Sequence, residues 1–480
     1  MAVRAGKEGD AMQEKNTGQL EKRSGKYSYR RKGSVVLACL ALVLTLLGGL
    51  ATMPRPAAEP PAEEACVICE AAYPERVQRP SATEIGDAQK YDEAYAAWRE
   101  DRSEQMTQAQ LCVEGLAPFL REASRAVLTG SGEENRVFSP VSLYMTLAML
   151  TEATGGETRQ QLLDLLGAPD AETLREQVGT VWEACYCDDG VTTCLFANSV
   201  WLDEGISFVP STMETLAGTY YASSYQGRMG SEELNEAFND WLGEQTDGFL
   251  GKQASEETLS PNTVLALVST AFYQAAWGDA FQEDATEKGV FETSGGEVPC
   301  DFMKQIRTRA FYWVTGFSAV SQSLDEGREQ MWLILPDEGV TPQELLEDGE
   351  VLDFLLSEER YSESALVRLS LPKFDVTSEL HMESALQRLG VVNVFSPELS
   401  NFAPLTDHGD LYVGSARQTA RVSVDEEGCT GAAYTRVGID SGGSSAGEEE
   451  IAFTLDRPFL YAVVTAERLP LLVGIMDRPA

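Results

Sequence analysis

Asn135-Arg136-Val137-Phe138-Ser139-Pro140-Val141-Ser142-Leu143 joins a short apolar segment to the start of a helix. Ser139 supplies a hydroxyl of the kind that caps a helix N-terminus. Pro140 follows at the first helical position, where its missing N–H costs nothing. Apolar residues then recur at helical spacing at Leu143, Leu147, Ala148 and Leu150. The stretch therefore predicts a buried helix that starts at Pro140.

Outward from this helix, the chain alternates between helical and strand-like segments. A second helix is predicted from about Glu157 to Gly167, with leucines at 162, 163, 165 and 166. Runs rich in β-branched or aromatic residues, bounded by Pro, Gly or charge, predict strands at residues 264–272, 332–335, 367–371 and 459–464. Helices packed on sheets of this kind indicate the α+β class.

Several collinear blocks resemble the serpin family. Residues 135–143 resemble its N-x-x-FSP-x-S opening, and Thr154-Gly155-Gly156-Glu157-Thr158 follows at the family's spacing. Residues 267–277 (LVSTAFYQAAW) resemble the family's strand that ends in Trp, and residues 371–374 (LPKF) are followed by Leu386, Leu389-Gly390 and Phe395. Glu426-Glu427-Gly428 resembles the start of the reactive loop, and residues 456–459 (DRPF) with Gly474 resemble the closing strands. The resemblance covers about residues 111–480.

This resemblance implies a fold and a function. The expected fold has three β-sheets, about nine helices and an exposed reactive-centre loop. The expected activity is inhibition of a serine or cysteine protease: the protease cleaves the loop, is held as an acyl-enzyme, and the cleaved loop inserts into the main sheet. The protein is then an inhibitor and not an enzyme, acts as a monomer, and needs no cofactor and no metal.

Loop insertion requires a hinge of small, uncharged residues, because alternate side chains must enter the sheet interior. The stretch that follows Glu426 meets this requirement with Gly428, Cys429, Thr430, Gly431, Ala432, Ala433, Tyr434 and Thr435. The resemblance would place Thr or Ser where Cys429 stands and Ala where Gly431 stands. Gly431 lowers strand stability, and Tyr434 must find space on its face.

The main sheet must also open to receive the loop. The resemblance assigns this region to Ser139 and Ser142, with Ser269 where an Asn is usual and Gln418 where a His is usual. Gln donates and accepts hydrogen bonds as His does, but it carries no pH sensitivity. Trp277 is expected to pack at the end of the sheet where the loop enters, or to be an ordinary core residue.

The scissile bond is predicted only as a window. Counting from Glu426 points to Gly442-Gly443, whereas aligning back from Pro458-Phe459 points near Gly447. The window consists of Val437, Gly438, Ile439, Asp440, Ser441, Gly442, Gly443, Ser444, Ser445, Ala446 and Gly447. Arg436 is the only basic residue from Gly428 to Glu450 and lies close to the hinge, which disfavours a trypsin-like target. The small and aliphatic residues favour an elastase-like or subtilisin-like protease, with cleavage after Asp440 as a minor alternative.

Composition excludes several other functions. The 480 residues include 37 Lys or Arg and 76 Asp or Glu, a net charge of −39, which disfavours a nucleic-acid partner. The chain has two His residues, His381 and His408, and so few candidates for a zinc ligand or a catalytic base disfavour a zinc enzyme or a Ser-His-Asp triad. Residues 443–447 match the G-x-S-x-G hydrolase motif, but no His follows His408, so this match is rejected.

The N-terminal region predicts export. Residues 34–53 carry no charge over 20 positions, enough for a helix to cross a bilayer about 30 Å thick. Residues 1–33 carry 9 basic and 4 acidic residues, and this basic segment is expected to stay in the cytoplasm while residues 54–480 are exported. We therefore expect a cytoplasmic segment (1–33), a transmembrane signal-anchor (34–53), a Pro/Glu-rich stalk or linker (54–110) and the serpin domain (111–480). Small residues at Gly49 and Ala51 leave a cleaved signal peptide, and hence secretion, as the alternative.

Eight cysteines lie beyond the apolar segment and permit disulfides without requiring them. Cys66 and Cys69 have the spacing of a redox or metal motif, yet the stalk context favours a local disulfide or free thiols. Cys187 and Cys194 bracket a turn signal at 188–190, which makes a bridge across a hairpin plausible.

A second function class stays open. The substitutions at Cys429 and Gly431 are compatible with a non-inhibitory binding or scaffold protein of the same fold, whose loop is cleaved but does not insert.

Overall fold

We describe a computed structural model of the chain. It describes residues 39–50, 66–71, 73, 77–81, 85–129, 134–188, 192–246, 248, 258–324, 329–409, 411–426, 428 and 450–479. The described residues belong to a compact unit that begins at residue 36.

Nine α-helices of six residues or more lie in this described part. They are α1 (Ala88–Leu128), α2 (Pro140–Ala153), α3 (Gly156–Leu166), α4 (Ala171–Cys185), α5 (Pro210–Thr219), α6 (Glu232–Gln245), α7 (Pro342–Asp348), α8 (Glu350–Leu356) and α9 (Glu383–Arg388). Every residue of α2 is buried, so this helix forms the centre of the core.

Sheet A has eight strands. Their order is β13 (Phe374–His381), β14 (Leu411–Val424), β1 (Cys39–Leu50), β7 (Thr263–Gln274), β5 (Thr193–Asp203), β6 (Ala222–Gly227) and β2 (Cys66–Cys69), with β4 (Cys187–Asp188) paired to β5. Strand β1 is antiparallel to both of its neighbours, β7 and β14.

The remaining strands form two sheets joined by one long strand, β9 (Gly296–Val314). Sheet C contains β9 with β8 (Glu287–Thr293), β12 (Glu363–Pro372) and β15 (Glu450–Thr454). Sheet B continues from the end of β9 through β10 (Phe317–Leu324), β11 (Glu329–Pro336), β16 (Phe459–Val464), β17 (Pro470–Met476) and β3 (Arg136–Phe138). Three sheets packed with helices confirm the predicted α+β fold class.

Local chemistry explains the first helices. The Ser139 Oγ accepts a hydrogen bond from the Ser142 N–H at 3.2 Å and caps α2, whose first residue is Pro140 as predicted. Helix α3 ends at Gly167, which adopts φ +70°, a left-handed conformation that suits a residue without a Cβ. All four predicted strand runs lie inside observed strands, in β7, β11, β12 and β16.

The apolar N-terminal segment differs from its prediction. Residues 34–53 were expected to form a membrane-spanning helix, but Cys39–Leu50 is the strand β1 in the middle of sheet A. An uncharged run suits a strand covered on both faces as well as it suits lipid, and hydropathy alone does not separate the two. None of the helices in the described ranges is both long and apolar enough to cross a membrane.

Part of the predicted stalk packs on the domain. Helix α1 runs without a break across the predicted boundary at residues 110–111, and Trp98 on this helix is only 3% exposed. The Tyr73 ring stacks on Trp182 with their centroids 5.7 Å apart. Strand β2 forms the edge of sheet A and pairs with β6. The described part of the predicted stalk, from Cys66 onward, is therefore attached to the folded unit through several contacts.

Cys69, Cys185, Cys194 and Cys300 form no disulfide bond. Cys187 and Cys194 face each other in the β4–β5 ladder, as the predicted hairpin requires. Burial raises the pKa of Cys185 and Cys194, so both thiols stay protonated and unreactive at neutral pH. Among the described residues no cluster of His, Cys, Asp or Glu is arranged to hold a metal ion.

Candidate functional site

The two described ends of the reactive-loop region are held by different sheets. Gly428 forms an isolated bridge with Ala276, just beyond the end of β7 in sheet A. Glu450 begins β15, which pairs in parallel with β12 in sheet C, and the Arg368 Nε donates to the Glu450 Oε1 at 2.6 Å. The intervening residues 429–449 lie outside the described part of the chain. The hinge residues from Cys429 to Thr435 and the whole scissile-bond window fall there and stay predictions.

We call the first end the loop mouth and define it by Trp277, Lys373, Asp425, Glu426 and Gly428. A glycine is required at 428 because its φ is +89°. A Cβ at this position would overlap the backbone nitrogen of Trp277 and come within 2.8 Å of the Ala276 carbonyl carbon. The chain therefore turns out of β14 against the end of β7, where only a residue without a side chain fits.

Glu426 ties the loop mouth to sheet C and to its surroundings. Its Oε2 lies 2.7 Å from the Lys373 Nζ, and its Oε1 accepts a hydrogen bond from the Thr286 Oγ1 at 2.6 Å. The Glu426 carbonyl accepts from the Phe281 N–H at 3.0 Å. Burial alone would raise the pKa of Glu426, but the hydrogen bonds from Lys373 and Thr286 outweigh it and lower this pKa below its usual value.

Trp277 closes the loop mouth from the side of β7. Its indole Nε1 donates to the Asp425 carbonyl at 2.7 Å, and its ring meets Phe281 edge-on with centroids 5.8 Å apart. The side chain is 4% exposed. Trp277 thus lies in the buried core just beyond the end of β7 and bonds to the segment from which the loop departs.

We define a second group, the slot centre, by Ser139, Ser142, Ser269 and Gln418. The Gln418 amide pairs with the backbone of Ser139: its Oε1 accepts from the Ser139 N–H at 2.9 Å, and its Nε2 donates to the Ser139 carbonyl at 3.1 Å. Both residues are fully buried. The predicted substitute for a His therefore links the start of α2 to β14 through two hydrogen bonds.

Two hydroxyls of the slot centre make no hydrogen bond to the described residues. They are Ser142 Oγ and Ser269 Oγ, and both residues are completely buried. Asn198, opposite Ser269 on β5, donates its Nδ2 to the Tyr220 carbonyl at 2.7 Å. Ser269 therefore lies next to polar neighbours without bonding to them.

The slot centre is divided by the N-terminal strand. In the ladder register Leu44 of β1 is opposite Ser269 of β7 on one side and Gln418 of β14 on the other. The two residues are therefore separated by one complete strand. We call the space between β7 and β14 the insertion slot; it holds the Cys39–Leu50 backbone.

Sequence reasoning missed two contributors to the loop mouth, Lys373 and Thr286, which bind the Glu426 carboxylate. It also missed the contacts of Asn135, which holds the C-terminal residues outside this site. The Asn135 Nδ2 donates to the Arg478 carbonyl at 2.6 Å, while its Oδ1 accepts from the Asp477 and Arg478 N–H groups at 2.8 and 2.9 Å. Lys373 and Asn135 stand inside motifs already recognised, but their partners are distant in sequence and left no local signal.

Comparison with known proteins agrees with this geometry. The family model for serpins (serine protease inhibitors) matches residues 118–479. Serpin-ZX of Arabidopsis thaliana is 26% identical over 355 residues, which cover 71% of this chain and 91% of that protein. Plasminogen activator inhibitor 1 of Neovison vison is 28% identical over 367 residues, covering 71% and 86% respectively. The solved structure of Arabidopsis AtSerpin1 in its native stressed conformation superposes with a TM-score of 0.68 at 25% identity, over 77% of this chain and 98% of that one.

A fold with three sheets, a loop anchored between two of them and a family model covering most of the chain define one class of protein. The chain belongs to the serpin family. Members of this family are mostly protease inhibitors and not enzymes.

Proposed function

We propose that this protein inhibits a protease as a suicide substrate. The target would be a serine protease, with cysteine proteases as the second class. The protease cleaves the reactive loop, remains attached as an acyl-enzyme, and is trapped when the freed part of the loop enters sheet A.

One observation carries the proposal: sheet A holds a strand between β7 and β14, directly below the loop mouth. Strand β1 is registered along both neighbours, from Leu40 opposite Val422 to Leu50 opposite Leu411. The slot therefore accommodates a strand of 12 residues with ladder partners on each side. A loop that leaves β14 at Glu426 and turns at Gly428 enters this slot antiparallel to β14, which is the direction that insertion requires.

The target protease supplies the nucleophile, and insertion of the loop supplies the free energy that holds the complex. The nucleophile of the protease attacks a carbonyl carbon in residues 437–447 and forms an ester or thioester bond as the peptide C–N bond breaks; the proton that the nucleophile loses is transferred to the nitrogen of the new N-terminus, which leaves. The acyl-enzyme then stays on the hinge side of the cut. Each backbone hydrogen bond that the hinge forms in the sheet contributes on the order of 1 kcal/mol net, and a strand of that length forms many of them. The uncharged residues 428–435 support entry because they bury no charge.

The window residues favour an elastase-like or subtilisin-like target. Ile439, Ser441 and Ala446 are small or aliphatic, while Arg436 is too close to the hinge to leave a full-length strand behind it. The acidic run at 448–450 would favour approach by a protease with a basic face. We propose that the inhibitor acts as a monomer outside the cytoplasm, with the basic and apolar N-terminal segments supporting export and, in the anchored form, attachment to the membrane.

The test is incubation of the full-length protein with elastase-like, subtilisin-like and trypsin-like proteases, in the absence and presence of phospholipid vesicles. Denaturing gels and mass spectrometry then report covalent complexes and the cleavage site. The proposal predicts an SDS-stable complex with an elastase-like or subtilisin-like enzyme and a cut within residues 437–447. Cleavage in that window without any complex, in every condition, would contradict inhibition.

A non-inhibitory binding or scaffold protein is the second candidate, and it would describe the protein if β1 never leaves the insertion slot. As long as β1 lies between β7 and β14, a cleaved loop has no free edge with which to pair. The gel assay separates the two functions, because the second candidate yields cleaved protein only.

A further inference from the structure

The N-terminal strand and the reactive loop compete for one position. Strand β1 begins at the loop mouth, where Cys39 is opposite Gln274, and ends at the far side of sheet A, where Gly49 is opposite Thr263. A loop that turns at Gly428 would follow the same path in the same direction. Because one antiparallel position between two strands holds one strand, occupation by β1 excludes the loop.

The sequence of β1 suits a resident strand. Residues 34–53 carry no charge, and the neighbouring strand β7 is buried at every position except Gln274. Helix α2, itself buried along its whole length, packs against both β1 and β7. An inner strand covered in this way must be apolar throughout, as β1 is.

The absence of charge also makes this segment compatible with a second environment, the lipid bilayer. The uncharged run of 20 residues is long enough for a helix through the hydrocarbon core of a bilayer. A segment in lipid must satisfy its backbone hydrogen bonds internally, so it cannot remain a strand of sheet A at the same time. Lipid and the slot are therefore alternative locations for one segment.

We propose that Cys39–Leu50 is an intramolecular plug of the insertion slot, and that transfer of this segment into a lipid bilayer opens the slot for the reactive loop. The second half of this statement rests on the proposed inhibitory function; the first half does not. The protein would then be a mere substrate of its target protease away from a membrane and an inhibitor on one.

The position of the plug is tested by disulfide trapping in the lipid-free, full-length protein. Val43 is opposite Thr270 and Leu42 is opposite Ala271, so one of these neighbouring pairs has the closer, non-hydrogen-bonded spacing. The variants Val43→Cys/Thr270→Cys and Leu42→Cys/Ala271→Cys are oxidised, and the disulfides are mapped by mass spectrometry. We expect a bridge in at least one of them. The control Val43→Cys/Val264→Cys, six residues out of register on β7, should form none; equal yields in all three variants, or none in any, overturn the plug.

The switch is tested by the yield of SDS-stable complex, measured with phosphatidylcholine vesicles and without them. We expect vesicles to raise the trapped fraction at least about tenfold, because they remove the competing occupant. The variant Leu44→Glu/Leu46→Glu places two charges in mid-strand, at positions opposite Ser269 and Gln418 and opposite Leu267 and Ala416, and should form complex without vesicles. The control Ala57→Glu/Ala58→Glu adds the same charge outside β1 and should behave as wild type.

The outcomes distinguish the two proposals. A register-specific disulfide without complex under any condition supports the plug and contradicts inhibition. Complex formation in the lipid-free wild type, at the same yield as in Leu44→Glu/Leu46→Glu, supports inhibition and overturns the plug.

Discussion

The loop mouth and the slot centre both adjoin sheet A but are held in different ways. At the loop mouth, Glu426 has both carboxylate oxygens bound, and the Trp277 indole bonds to the Asp425 carbonyl. At the slot centre, the hydroxyls of Ser142 and Ser269 are buried without a hydrogen bond to the described residues. Both carboxylate oxygens of Glu426 are therefore bonded at the loop mouth, whereas at the slot centre Gln418 pairs with the Ser139 backbone but the Ser142 and Ser269 hydroxyls are held by packing.

This contrast bears on how a strand can enter and leave sheet A. Buried polar contacts resist separation, since breaking them leaves unpaired groups that cost more than the bond itself contributes. Weakly bonded positions adapt to a new neighbour at low cost. We infer that the loop mouth holds the hinge in place while the slot centre accepts exchange of its strand.

Gly428→Ala should cause the largest loss of stability. The added Cβ overlaps the Trp277 backbone nitrogen, and φ +89° is unfavourable for alanine. We expect the free energy of unfolding in urea to fall by about 3 kcal/mol or more. Gly179→Ala is the control, because nothing lies within 4 Å of a Cβ at this position in α4. An equal loss of unfolding free energy in both variants would mean that the loop mouth does not require a glycine at 428.

Gln418→Met should have the next largest effect. The substitution keeps the side-chain volume but removes both hydrogen bonds to the Ser139 backbone. A loss of about 1–3 kcal/mol is expected, since the Ser139 N–H is left buried without its acceptor. Gln387→Met, at an exposed site on α9, should change the unfolding free energy little. Indistinguishable variants would mean that these two bonds do not hold the slot centre.

Glu426→Gln should weaken the protein in a pH-dependent way. Because the folded-state pKa of Glu426 is lowered, its carboxylate stabilises the fold above the unfolded-state pKa near 4.3, and this contribution is lost as the pH falls through the folded-state pKa. We expect a deficit of about 1 kcal/mol at pH 7 that disappears in acid. The measurement is urea unfolding from pH 7 to pH 3, with the exposed Glu338→Gln as control. A deficit that stays constant with pH would contradict the ionic role.

Ser269→Ala should have the smallest effect, within about 0.5 kcal/mol of wild type in either direction, because its hydroxyl makes no described hydrogen bond. Ser378→Ala is the matched control: its Oγ accepts from the Val137 N–H and donates to the Val137 carbonyl, both at 2.9 Å. Thermal unfolding of the two variants gives the comparison. If Ser269→Ala costs as much as Ser378→Ala, the slot centre is bonded as firmly as the rest of the sheet.

Local signals explain which parts of the fold were predictable. The Ser139–Pro140 helix start, the Gly167 helix end and the four strand runs all depend on neighbouring residues, and the structure confirms them. The pairing of Gln418 with the Ser139 backbone joins residues 279 positions apart, so only the resemblance to serpins brought these two together. Cys39–Leu50 is a strand in this structure and not the predicted helix, because an uncharged run has the same composition in a bilayer and in a covered strand.

Hydrogen exchange of residues 428–435, followed by mass spectrometry after loop cleavage, tests the central claim most directly. Without vesicles, the account predicts that these residues exchange rapidly after cleavage while residues 39–50 are protected. With phosphatidylcholine vesicles, residues 428–435 should become protected, because the loop has replaced the N-terminal strand. Rapid exchange of residues 39–50 in the lipid-free protein, or protection of both segments together without lipid, would contradict the account.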